Sequence, residues 1–143
     1  MILSFDQNDK VLWNRFLHDF QSLLNKEELE EEVKYNPYVQ YVFYEQNNQI
    51  VAFLNYSLIY DRIEINQIMV LEKFRHKGIA SSLLEYLFSL AKELKIKNIT
   101  QEVKKDNKKA IGLYHKFGFT EKAIRMGYYS GIDGILMEKE MIT

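Results

Sequence analysis

A chain of 143 residues with 47% hydrophobic content has the size of one ordinary domain and enough apolar material to bury a core. Nineteen Lys and Arg against twenty Asp and Glu leave a formal net charge of -1, which removes the basic footprint of a dedicated nucleic-acid binder. The sequence has no cysteine, so disulfides, a thiolate zinc site and a cysteine nucleophile are all excluded, and a reducing compartment fits.

No apolar stretch is long enough to span a membrane, and Met1-Ile2-Leu3-Ser4 followed by Asp6 and Asp9 lacks a secretory pattern. The expectation is a cytoplasmic protein with no membrane partner. A single proline, Pro37, six glycines and no repeat or low-complexity tract point to one domain over residues 1–143.

Apolar positions Leu12, Phe16, Leu17, Phe20, Leu23 and Leu24 recur at helical spacing behind a capping Asp9, which predicts a helix from Asp9 to Leu24. Asn25 and the acidic run Glu27 to Glu32 predict a second, short helix that stops before Asn36-Pro37 and presents a solvated acidic face. Aromatic and β-branched residues from Tyr38 to Tyr44, the turn Asn47-Asn48, and the runs Ile50 to Tyr60 and Ile63 to Leu71 read as a three-stranded antiparallel meander. The clearest helix carries Ile79, Leu83, Leu84, Leu87, Phe88, Ala91 and Leu94 on one stripe. A strand at Asn98 to Val103, a helix at Lys108 to Lys116, and strands at Thr120 to Tyr129 and Ile135 to Met141 follow, the last two joined through Asp133-Gly134. The expected order is ααβββαβαββ, a mixed α/β domain.

Between the third strand and the long helix lies Arg75-His76-Lys77-Gly78-Ile79-Ala80-Ser81-Ser82. The N–H groups that open a helix lack intrahelical partners, and the positive end of the helix dipole favours a phosphate there. Gly78 permits a tight turn, and Ala80 is small. The loop is neither G-x-G-x-x-G nor G-x-x-x-x-G-K-[ST], so dinucleotide and P-loop readings fail, and a plain turn before a helix stays open.

Downstream stand Glu102 on a strand, Asn107 in a loop and Tyr114 on a short helix, followed by Phe117-Gly118-Phe119. If that strand runs parallel to Ile63 to Leu71, the intervening helix is the required crossover, and Glu102, Asn107 and the glycine loop share one cleft. From the residues alone Glu102 also reads as a solvent-facing carboxylate, Asn107 as a helix cap and Tyr114 as a core aromatic.

Strand, R-x-x-G-x-A, long helix, strand, Asn, then A-x-x-L-Y-x-x-x-G-F resembles the pattern of the GCN5-related N-acetyltransferases over nearly the whole chain. Gln101-Glu102-Val103, Asn107, Ala110, Leu113-Tyr114, Phe117-Gly118-Phe119, Ile124-Arg125 and Tyr128-Tyr129 are most similar to the RimI-type members, which acetylate the N-terminal alanine of a ribosomal protein. The resemblance implies a mostly antiparallel, twisted sheet with helices on both faces, whose central parallel strand pair splays around acetyl-CoA. Pantetheine would pair with the backbone of Ile68, Met69 and Val70, and the pyrophosphate would sit on Arg75, His76, Lys77, Gly78, Ile79, Ala80 and Ser81. Asn107 would bond the pantetheine arm.

Acyl transfer from a thioester to an amine needs a deprotonated amine, an aligned attack and a proton for the departing thiolate. By resemblance Glu102 is the general base, acting through water, and Tyr114 the general acid or the hydrogen-bond donor to the coenzyme A sulfur. A carboxylate of ordinary acidity, with a pKa of about 4.3, is a weak base at neutral pH, so such a site needs a raised pKa or a water relay. Tyr128 and Tyr129 fall where the family grips the acceptor, though strand tyrosines are often packing residues. RimI-type members carry a Pro-Trp-Ser-like element where this chain reads Gln21-Ser22-Leu23-Leu24-Asn25-Lys26-Glu27, so the acceptor is either a protein N-terminus, with a ribosomal protein favoured, or a small amine or amino acid.

His18, His76 and His115 are scattered without metal-ligand spacing, and Ser57, Ser81 and Ser89 lack a G-x-S-x-G setting, so neither a metal site nor a hydrolase is expected. Lys104, Lys105, Lys108 and Lys109 read as a solvated rim rather than an RNA surface, because no aromatic residue interleaves them. A monomer or a homodimer that releases coenzyme A is expected, and a non-catalytic acetyl-CoA-binding module is the alternative from a different class.

Overall fold

The structure, a computed structural model, describes residues 1–141. Its elements are β1 (Ile2–Ser4), α1 (Lys10–Asp19), α2 (Lys26–Tyr35), β2 (Val39–Gln46), β3 (Gln49–Ile59), β4 (Arg62–Val70), α3 (Ile79–Glu93), β5 (Asn98–Lys104), α4 (Lys108–Lys116), β6 (Thr120–Tyr129) and β7 (Ile132–Glu140). A 3-10 turn, Glu72–Phe74, precedes the loop that leads into α3. The strands form a mixed, mostly antiparallel sheet in the order β1-β2-β3-β4-β5-β7-β6, in which β4 and β5 are parallel.

Three sequence expectations need correction. A first strand, β1, stands ahead of the helices and pairs antiparallel with β2; three residues are too few to show an alternating pattern. The last hairpin turns at Ser130-Gly131, not at Asp133-Gly134, because both turn residues take positive φ, 49° and 94°. Asp133 and Gly134 lie inside β7, and the Asp133 carboxylate accepts the Gly127 N–H at 2.8 Å. Helix α1 ends at Asp19, since Phe20 already has non-helical backbone and bonds back to Phe16.

The chain divides into two compact units. The first comprises Met1–Ser57 with Gln67–Tyr86. Its core is aromatic: Phe16 is fully buried, with ring centroids 4.7 Å from Phe43, 5.1 Å from Phe53 and 5.4 Å from both Phe20 and Trp13. Asp9 caps α1 by accepting from Leu12 N, and Asn25 caps α2 by accepting from Glu28 N. No residue of α2 is fully buried. It is held by Leu29 and Val33 against the core and by Glu32, whose Oε1 accepts from the Tyr41 hydroxyl at 3.1 Å and from Asn55 Nδ2 at 2.9 Å.

The second unit comprises Leu58–Asn66 and the chain from Leu87 onward. Here β5 pairs in parallel with β4 on one side and antiparallel with β7 on the other, and β6 forms the outer edge. Phe88 meets Phe117 and Phe119 at 5.6 and 6.1 Å, and Phe119 stands edge-on to Tyr114 at 5.1 Å. Helix α4 is tied at both ends. Asn107 Oδ1 accepts from Ala110 N, and at the other end Lys139 Nζ donates to the Phe117 carbonyl at 2.7 Å. Gly118 follows at φ +91°, where an added Cβ would stand 2.9 Å from that ammonium.

Truncating the ring at the centre of the aromatic core leaves a void that surrounding rings fill only in part. Phe16→Ala is expected to lower the unfolding free energy by about 3–5 kcal/mol, read from urea denaturation.

Candidate active site

In the first unit a strand end leads into a helix start. The parallel ladder joins Arg62 to Ile65 with Asn98 to Gln101 and stops there, although β4 runs on to Val70. The half-buried residues Ile68, Met69 and Val70 therefore lie outside the parallel register. Arg75 Nε donates to the Val70 carbonyl at 2.9 Å, which folds the loop back on the strand end. His76 and Gly78 both take positive φ, 64° and 80°, and no atom stands within 4 Å of a Cβ built on Gly78. Only glycine is unstrained at that angle while leaving the space over the loop open.

The first helical bond of α3 runs from Ser82 N to the Gly78 carbonyl, so the N–H groups of Ile79, Ala80 and Ser81 have no acceptor inside the helix. Gly78 has no side chain to cap them, and the first turn carries no acidic residue. A fifteen-residue helix with an uncapped start favours an external anion by the same physics that makes Asp and Asn good caps.

The second unit holds the titratable groups. Glu102 sits on β5 with its side chain one-fifth exposed. Its Oε2 lies 3.3 Å from Arg125 Nε, and its Oε1 lies 3.5 Å from the Tyr129 hydroxyl. Arg125 was not singled out for a role by sequence reasoning. Its signal is the sheet register, which puts Arg125 opposite Gly134 and Gly134 opposite Lys104, so that Arg125 and Glu102 share a face diagonally across β7. The Arg125 guanidinium also lies 5.0 Å from the centre of the half-exposed Tyr128 ring, and Lys104 Nζ lies 5.5 Å from that of Tyr129. The two tyrosine rings meet edge-on at 4.9 Å.

Tyr114 is 1% exposed on α4, and its hydroxyl has no hydrogen-bond partner. A buried donor left unmade is costly, so this group calls for a ligand atom or a water. Burial pushes the phenol well above its ordinary value of 10.0, so it stays protonated throughout the physiological range. Asn107 is exposed and does cap α4, as one reading of the sequence had it. The cap uses only the amide oxygen, so the NH2 group keeps its capacity to donate. Lys104, Lys105, Lys108 and Lys109 are all exposed. Among the described residues no cluster of three or more His, Asp or Glu side chains is placed to hold a metal, and no helix is long and apolar enough to cross a membrane.

The sequence profile described as Acetyltransferase (GNAT) family matches residues 6–119. The chain belongs to the GNAT family of acetyltransferases. An Escherichia coli (strain K12) ribosomal protein bS18-alanine N-acetyltransferase is 32% identical over 89 residues, covering 62% of this chain and 60% of that protein. A Bacillus subtilis (strain 168) protein, provisionally named for the same activity, is 28% identical over 120 residues, or 82% of this chain and 80% of its own length. The fold matches the crystal structure of the ribosomal-protein-S18-alanine N-acetyltransferase from Escherichia coli with a TM-score of 0.84 at 24% identity, over 100% of this chain and 94% of that one. A GNAT family acetyltransferase from Elizabethkingia anophelis, solved with acetyl-CoA bound, matches with a TM-score of 0.78 at 21% identity, over 99% and 97% of the two chains. This chain is an acetyltransferase that uses acetyl-CoA as donor.

Burial raises Tyr56 to about 12 and puts Tyr41 and Tyr114 well above 10.0. A raised folded value leaves stability intact below about pH 10, where unfolded tyrosine is still protonated, and erodes it as pH climbs beyond that. The phenolate absorbance of Tyr41, Tyr56 and Tyr114 is expected to appear only as the protein unfolds, above about pH 10. One transition for all ten tyrosines near pH 10 would contradict the burial described.

Proposed function

We propose that this acetyltransferase acts on the N-terminal α-amine of a protein, with a ribosomal protein that begins with alanine as the favoured acceptor. The observation that carries the chemistry is the buried, unpartnered hydroxyl of Tyr114. A hydroxyl kept protonated by burial, with no internal acceptor, is suited to hydrogen-bond the sulfur as negative charge builds on it. The choice of acceptor rests on likeness to the bS18-alanine N-acetyltransferases of Escherichia coli and Bacillus subtilis.

When bound, acetyl-CoA supplies an activated acetyl thioester. In this proposal the uncapped N–H groups of Ile79, Ala80 and Ser81 bind its phosphates, with Arg75, His76 and Lys77 adding positive or potentially positive charge and Gly78 leaving the approach open. The backbone of Ile68, Met69 and Val70, released from the parallel ladder, pairs with the amides of the pantetheine arm, and Asn107 donates to it. Glu102 takes the proton of the acceptor ammonium, directly or through water, and so frees the nitrogen lone pair for attack. Tyr114 donates to the sulfur that leaves. Tyr128 and Tyr129 present ring faces and hydroxyls to the acceptor's first residues. The chain then acts as one acetyltransferase domain over residues 1–143 in the cytoplasm, as a monomer or homodimer.

A small amine or amino acid remains the second reading, because residues 21–27 depart from the element that alanine-modifying members carry between the first two helices. Coenzyme A release on a panel of N-terminal peptides, free amino acids and polyamines decides between the two. Turnover is expected on Ala-starting peptides, with a loss of about a hundredfold or more in Glu102→Gln. Tyr114→Phe is expected to keep acetyl-CoA affinity and lose turnover; unchanged turnover removes Tyr114 from the mechanism. Tight acetyl-CoA binding with no turnover on any amine indicates a binding module instead.

A further inference from the structure

Glu102 is held rather than free. Each of its carboxylate oxygens has its own partner, Oε2 with the Arg125 guanidinium and Oε1 with the Tyr129 hydroxyl, and both partners come from β6. Strand β7 lies between β5 and β6, so a side chain on β7 would ordinarily separate them. The register places Gly134 there, opposite Lys104 on one side and Arg125 on the other. A Cβ built on Gly134 would lie 3.0 Å from Tyr129 Cε2 and 3.1 Å from Glu102 Oε1. The backbone angle of Gly134 is one that any residue adopts, since it is not among the positive-φ glycines. A side chain here would push the Tyr129 ring or the Glu102 carboxylate aside by a few tenths of an ångström.

We infer that Arg125 is the positioning residue for Glu102, and that Gly134 is the gap in β7 in which the Tyr129 ring and that carboxylate meet. The inference rests on Glu102 being the base. One face of Arg125 lies over the Tyr128 ring while its Nε meets Glu102, so the guanidinium is fixed in two directions and fixes the carboxylate in turn. An ammonium at that point would lack the planar fork that aligns a carboxylate. The cluster also has a use before turnover. A carboxylate beside the Tyr129 ring, already paired with one cation of the chain, is chemically suited to receive a second cation, the acceptor's ammonium.

The groups around Glu102 are few. Lys104 neighbours it on β5, Arg125 and Tyr129 face it from β6, and the Asp133 carboxylate on β7 is occupied by the Gly127 N–H. Desolvation and the Glu102 charge raise the Tyr129 phenol, while Arg125 lowers it, so Tyr129 remains a donor to the carboxylate at neutral pH.

The test compares Arg125→Gln, Arg125→Lys and Gly134→Ala with the unaltered enzyme and Glu102→Gln, in steady-state kinetics across pH on whichever amine the panel identifies. Arg125 is half-exposed, so its substitution leaves the core intact. Arg125→Gln is expected to lower kcat/KM about tenfold at neutral pH, to leave acetyl-CoA affinity unchanged, and to move the acid limb of the profile to higher pH. Arg125→Lys returns the limb to its original position, because the charge is back, while part of the kcat loss persists. Gly134→Ala lowers kcat in the same direction. An unmoved limb in Arg125→Gln, with or without lost activity, overturns the inference, as does full activity in Gly134→Ala. Full activity in Glu102→Gln instead overturns the assignment of the base, which separates the two failures.

Discussion

Four residue pairs of parallel ladder, Arg62 to Ile65 against Asn98 to Gln101, govern how this chain is laid out. Parallel strands cannot be joined by a tight turn, so the chain needs a crossover, and residues 71–97 supply it as a short turn, a loop and α3. An N-terminal helix end with unmade N–H groups thereby follows directly from the C-terminal end of β4. Glu102 stands toward the C-terminal end of β5. Ligands of α/β folds commonly gather at carboxyl ends of parallel strands.

Helix α4 supports that plan from a different direction. Its apolar face buries Tyr114 against Phe119, and its two ends are fixed by Asn107 and by Lys139 from β7. A nine-residue helix is marginal by itself, so these end contacts and the buried ring hold it in place. The unmade hydroxyl of Tyr114 is the cost carried by that arrangement, of the kind that active sites tolerate and cores elsewhere avoid.

Much of the fold was legible because its elements are long and periodic. Of the predicted stripe, Ile79, Leu83, Leu84, Leu87 and Ala91 are buried, whereas Leu94 is exposed because α3 has already ended at Glu93, and Asn47-Asn48 turns the chain with both residues at positive φ. What was hidden depends on neighbours that are distant in sequence. The strand β1 exists because β2 offers it a partner, and Asp133-Gly134 imitates a hairpin turn although Ser130-Gly131 makes it. In the candidate site, motif spacing singled out Glu102, Asn107 and Tyr114. The grip of Arg125 on Glu102 was invisible, since it arises only from the register that threads β7 between their strands.

Strand β6 closes the sheet with nearly every residue exposed, including Ile124, Met126 and Tyr128. Such an edge is a template on which other chains could add, and its apolar side chains would reward them. Two register breaks interrupt it, one between Glu121 and Ala123 and one between Arg125 and Tyr129, where Gly127 takes φ +64°. Bulges twist an edge out of line, and Lys122 and Arg125 add charge to it. The irregularity that aims Arg125 and Tyr129 at Glu102 also guards this border against aggregation, so straightening the strand would expose the protein to self-templating as it disturbed the site.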